Sequence, residues 1–152
     1  MKRTFFASFL VVPTIFLSAS ALSAQRNVTP ILDQQMETDA KHNLDVARQA
    51  FSPLKKAYKQ VIMRFEETYA AYPDFTGIDE FLYLAGMSSY YLSENKGKQK
   101  VDPKSEKEKE KYAPAKLRED AIAYLSTVVD KYPQSKFKDD AAQTLKALKS
   151  EK

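Results

Sequence analysis

The sequence predicts an all-α protein built as a short α-solenoid of antiparallel helix pairs, about two to two and a half pairs in all. Three observations carry this. Apolar residues recur near the 3.6-residue helical period along most of the chain after residue 35, and no segment alternates with period two. Two helical stretches stop at the same dipeptide, Tyr72-Pro73 and Tyr132-Pro133, because the residue before proline is pushed out of the α region. A shift of sixty residues then lays Val61 on Ala121, Ile62 on Ile122, Phe65 on Leu125, Tyr69 on Val129, Tyr72 on Tyr132, Pro73 on Pro133 and Glu80 on Asp140.

The first residues stand apart from that pattern. Lys2 and Arg3 precede an apolar run, Phe5 to Leu17, and small residues from Ser18 to Ala24 follow, which is the layout of a cleaved signal peptide over residues 1–24. Cleavage after Ala21 or after Ala24 fits equally well. The run is short of the roughly 20 residues a membrane-crossing helix needs, so an uncleaved anchor is the weaker alternative. Removing residues 1–24 takes two basic residues and no acidic one, and the formal net charge falls from +4 to +2. That balance excludes the one-sided charge of a nucleic-acid binder. There is no cysteine, hence no disulfide framework, thiolate metal site or lipid-modified cysteine within the sequence.

Residues 25–35 lack sustained periodicity and contain Pro30, which predicts a flexible lead before a helical domain over 36–150. Leu44, Ala47 and Phe51 mark a first helix up to Phe51. Ser52-Pro53 predicts either an N-cap with proline at the first position of the next helix or a kink in one long helix. Leu54, Tyr58, Val61, Ile62, Phe65, Tyr69 and Tyr72 then form one apolar stripe. After the turn at 74–77, where Asp74 or Thr76 is the expected cap, Asp79 and Glu80 bring negative charge to a helix start. The buried stripe there is Ile78, Phe81, Leu82, Ala85, Ser89 and Leu92. Gly86 interrupts it at a cost of about 1 kcal/mol relative to alanine, which predicts close approach of a neighbouring helix. Residues 94–111 hold seven lysines, five acids and a single aliphatic side chain, Val101, and read as a solvated, flexible insertion. Leu117, Ala121, Tyr124, Leu125, Val128, Val129 and Tyr132 restore the helical period, and Ser135 is the expected cap of a last helix with inner face Phe137, Ala141, Leu145 and Leu148.

The segments 64–92 and 121–148 resemble the tetratricopeptide-type repeats of bacterial envelope proteins, particularly the BamD-like outer-membrane assembly lipoproteins and the Tol-Pal system coordinator. The resemblance rests on Tyr132-Pro133-Gln134-Ser135 followed by Ala141-Ala142. The earlier copy has Asp74-Phe75 after its Tyr72-Pro73, and Phe81-Leu82 where small residues are usual. The resemblance implies a superhelical scaffold in the periplasm of a Gram-negative-type bacterium that holds other envelope proteins. Tyr72, Pro73, Gly86, Tyr132, Pro133, Ser135 and Ala141 are then repeat architecture.

The chemical inventory supports a non-enzymatic reading. His42 is the only histidine and lies among polar residues, so neither a catalytic base with partners nor a metal site is expected, and no cofactor is implied. The pairs Glu66-Glu67, Asp79-Glu80 and Asp139-Asp140 are sequence neighbours, which on a helix point about 100° apart. No phosphate-cradling glycine loop or nucleophile turn occurs. What remains is a binding surface. Tyr83, Met87, Tyr90 and Tyr91 are left over once the stripe of their helix is assigned, and they are the candidate partner groove; packing against the first helix or the insertion is the competing use. Two further roles fit the sequence: self-association of a short array, and membrane-surface attachment through the lysine-rich insertion.

Overall fold

A computed structural model describes residues 30–150, with side chains from Asp33 onward. The expected signal peptide and residues 25–29 lie outside the described residues. Six helices follow one another: α1 (Pro30–Phe51), α2 (Tyr58–Ala71), α3 (Ile78–Ser93), α4 (Glu106–Lys111), α5 (Pro114–Lys131) and α6 (Lys138–Ser150). No strand occurs among the described residues. Packing runs α1 on α2, α2 on α3, α3 on α5 and α5 on α6. This is an all-helical, tetratricopeptide-like array with α4 on its flank.

The two Tyr-Pro turns are one backbone design used twice. Tyr72 donates its N–H to Thr68 at 2.7 Å and Tyr132 to Val128 at 3.1 Å. Past each proline, the N–H of Ile78 reaches Phe75 at 3.0 Å and that of Lys138 reaches Ser135 at 3.2 Å. The next bonds, Phe81 to Gly77 and Ala141 to Phe137, repeat the correspondence at 3.1 and 2.9 Å. Different side chains therefore serve the same turn, because proline ends the helix and backbone groups close the next one.

Helix α3 lies at the centre. Its expected stripe is buried, and so are Leu84, Gly86, Met87 and Ser88. A helix flanked by α1 and α2 on one side and α5 on the other buries more than one face. The fully buried Phe65, Phe81, Leu125 and Val128 join the first pair to the second.

Four expectations need correction. Residues 30–35 are helical rather than a loose lead, with Pro30 at the first position, where its missing N–H costs nothing. The second helix begins at Tyr58, not at Pro53: Ser52 accepts bonds from Lys55 and Lys56, Lys56 takes a positive φ of 46°, and residues 52–57 form a turn. Leu54 sits at its tip, 81% exposed, and Tyr69 is 43% exposed, so neither belongs to the buried stripe. Thr68 takes the buried place instead and accepts a hydrogen bond from the Asn43 amide of α1 at 3.1 Å.

The fourth correction concerns the charged insertion, which is docked and partly helical. Ser105 caps α4 by accepting the Glu108 N–H. Lys59 of α2 reaches the Glu108 carboxylate at 2.6 Å and the Lys100 carbonyl at 3.1 Å, and Lys111 pairs with Glu66. Tyr112, one residue beyond the charged run, is buried against Tyr58, Ile62, Leu92 and Leu117. Charge pairing to α2 and one aromatic plug hold a segment that has almost no aliphatic residues.

Candidate partner-binding surface

The turn residues do architectural work. Ser135 Oγ accepts the Phe137 N–H at 3.2 Å, and Ala141 is fully buried. The start of α3 has no side-chain cap: Gly77 is its N-cap, while the Thr76 hydroxyl instead donates to the Glu37 carboxylate of α1. Burial pushes the Glu37 pKa up, but the two Thr76 donors and Lys41 outweigh it and leave the group below its ordinary value. Glu80 receives a two-pronged bond from Arg48 of α1 at 2.6 and 2.7 Å, so its helix-start charge also ties α1 to α3. At Gly86 a Cβ would stand 2.7 Å from Leu125 Cγ of α5, closer than atoms pack.

The four residues left over on α3 divide into two groups. Tyr83 stacks on Phe137 with ring centres 4.8 Å apart, and Met87 is buried with its sulfur 3.5 Å from Thr144 Oγ1, so both are engaged by the last helix pair. Tyr91 packs between Phe51 and Tyr58, with centroids 6.1 and 5.3 Å away, and Tyr90 leans on it at 5.7 Å. Those two rings are half-buried at the edge where the 52–57 turn meets the insertion. No single open groove collects all four.

Sequence reasoning missed the outward stripe of α2. Met63, Glu66 and Tyr69 follow at three-residue spacing, and Met63 and Tyr69 are the large apolar side chains most open to solvent besides Leu54. On one side α4 walls a hollow of about 480 Å³ lined by Met63, Glu66, Glu67, Lys111 and Tyr112. On the other, Tyr69 stacks on Phe65 at 5.2 Å, and Phe65 meets Tyr124 of α5 edge-on at 4.9 Å. Burial, with Asp120 and Glu66 nearby, pushes the Tyr124 hydroxyl up to about 12. A second cleft of about 600 Å³ opens between the two Tyr-Pro turns, lined by Asp74, Asp79, Lys131, Tyr132 and Pro133. The signal for the α2 stripe was its spacing, obscured because Tyr69 also fits the buried stripe.

His42 is exposed, and no group of acids and histidines among the described residues is placed to hold a metal ion. What the surface presents is shape, aromatic area and charge. The sequence profile of the YfiO family, described as outer membrane lipoprotein, matches residues 34–151. The chain belongs to the YfiO family. It is thus a BamD-like, tetratricopeptide-like envelope protein, and the match covers α2 to α6 and all but the first four residues of α1. No curated protein and no solved structure matches it. The family is one of lipoproteins, yet none of the 152 residues here is a cysteine. No helix among the described residues is long and apolar enough to cross a membrane.

Proposed function

We propose that this YfiO-family chain, freed of residues 1–24, works in the periplasm as a non-enzymatic scaffold for outer-membrane assembly or maintenance. It holds an extended or helical segment of a protein partner against the outward face of α2. The observation that carries the reading is the stripe Met63, Glu66 and Tyr69, set between the hollow beside α4 and the Phe65–Tyr124 seam to α5. Stacked helix pairs bind partners along such faces, and a rigid tyrosine gives large contact area at low entropic cost. The geometry asks for no proton transfer and no covalent step; the scaffold contributes a preformed surface.

The test is complementation. In a strain lacking the gene, the wild-type chain restores outer-membrane protein levels and resistance to large hydrophobic antibiotics. A Met63→Ala/Tyr69→Ala chain with an unchanged helical circular dichroism spectrum is expected to restore neither. Full complementation by that variant overturns this surface as the binding face, and the absence of any envelope defect in the deletion strain overturns the scaffold reading itself.

A further inference from the structure

The end of the molecule opposite the Tyr-Pro turns brings two loops together. Lys98 donates its backbone N–H to the Lys56 carbonyl at 3.0 Å and its ammonium to the Leu54 carbonyl at 2.7 Å. Gly97 lies against Tyr58 and the Lys56 carbonyl, and Lys96 rests over the Tyr90 ring at 5.5 Å. The turn 52–57 and the loop segment 96–100 are therefore one surface. Leu54 projects from it, 81% exposed and beside the exposed Pro53. Beside that leucine stand Lys55, Lys56, Lys96 and Lys98, with Lys100 farther along the same segment, and none of them has a carboxylate partner among the described residues, the Lys98 ammonium being held by the Leu54 carbonyl. Of the acids nearest in sequence, Glu94 is engaged by Arg118 and Asp102 accepts the Lys104 backbone N–H.

The rest of the insertion differs. From Asp102 to Lys111, four lysines face four acids, and several of them are spent on each other or on α2. Lysines without a carboxylate partner are thus denser on the Leu54 edge than over 102–111, where Lys109 and Lys111 are paired and Lys104 and Lys107 are not.

We propose that this edge is a docking surface for an anionic lipid bilayer, with Leu54 inserted at the headgroup boundary and the lysines on lipid phosphates. The place of Leu54 decides for a bilayer: it stands outside the neighbouring hollow of about 410 Å³, lined by Phe51, Pro53, Lys56, Tyr58, Tyr91 and Lys96, so a peptide seated in that hollow would leave the leucine uncovered. Each lysine near an anionic surface adds favourable electrostatic energy, and buried apolar area adds to it. Tyr90 and Tyr91, half-buried behind Lys96, suit the interface, where tyrosines favour the headgroup level. The inference is independent of the α2 face and survives if that face fails.

The chain from Gln25 onward contains every described helix and the core, and it leaves out the apolar run at Phe5–Leu17. It is mixed with vesicles of phosphatidylethanolamine and phosphatidylglycerol, or of phosphatidylcholine alone, and pelleted. Binding is expected to the anionic vesicles only, and to weaken between about 0.05 and about 0.5 M salt as screening lengths shorten. Both Leu54→Asp and the charge reversal Lys55→Glu/Lys96→Glu/Lys100→Glu should reduce the bound fraction at least about tenfold. Lys136→Glu/Lys138→Glu, at the opposite end, should leave it unchanged. The proposal is overturned if neutral vesicles bind as well, if neither edge variant matters, or if the control reversal matters equally. A loss on charge reversal with none on Leu54→Asp also overturns it, because that is adsorption without insertion.

Discussion

Gly86 and Leu125 form the contact where the first helix pair meets the second. Alanine at position 86 gains about 1 kcal/mol of helix propensity, while its methyl enters space held by the fully buried Leu125 side chain, 2.7 Å away. Overpacking a filled core costs about 1–3 kcal/mol, so Gly86→Ala should be net destabilising by about 1 kcal/mol. In the Leu125→Ala background the same change should become neutral or stabilising. Urea unfolding of the four proteins of that cycle measures the coupling; a single Gly86→Ala variant more stable than wild type contradicts a tight seam. A glycine in mid-helix announces a close approach in the sequence. Its partner, 39 positions away, does not, because Leu125 carries the same apolar signal as every other inner residue.

At the scale of elements, the insertion shows where reading by composition stops. A run with one aliphatic residue has no core of its own, and the sequence says so correctly. What composition omits is docking: Glu108 to Lys59 across 49 positions, and Tyr112 just beyond the run. The Asp102 backbone N–H and then Lys59 hold the Glu108 carboxyl below its ordinary range. With the docked pKa lowered, the stabilisation is present above the free carboxylate range and is lost as pH falls below that range through the lower docked value. Glu108→Ala should therefore lower the amide protection factors across 101–112 several-fold and leave α3 and α5 protected, and acidification of the wild type should lower the same protection factors once the slower intrinsic exchange at low pH is divided out. Equal loss of protection in α3 would mean that the insertion supports the core. The turn at 52–57 escapes the sequence for a related reason: Pro53 fits a helix start well, while the bonds that make a separate turn run from Lys55 and Lys56 to the Ser52 carbonyl and from Lys98, across the loops, to the Lys56 and Leu54 carbonyls.

The described residues make two helix pairs, a leading helix and the short α4 on the flank, with the pairs joined across one aromatic seam. Its order and type were legible, since helical period and repeated Tyr-Pro stops are local signals. The partner face was not, because which side of α3 stays open depends on where α5 and α6 come to rest; Tyr83 and Met87 are taken up by that packing. Tyr124 reports on the seam. Its hydroxyl is raised to about 12 by burial, so the folded chain keeps that proton when the unfolded chain has released it. Stability from this group is complete below the free tyrosine range near pH 10 and is lost as pH climbs toward 12. Wild type should lose more stability than Tyr124→Phe between those limits, by thermal unfolding at stepped pH; parallel curves would mean that the ring is not desolvated at the seam. The long connection between α3 and α5 carries a different consequence. Closing a loop becomes harder only slowly with length, about 0.6 kcal/mol for each doubling, and Asp102, Pro103 and Lys104 are exposed, making few contacts with the rest of the molecule. This is the stretch where an inserted foreign domain should be tolerated, since packing across the seam and not the covalent tether keeps the second pair in register.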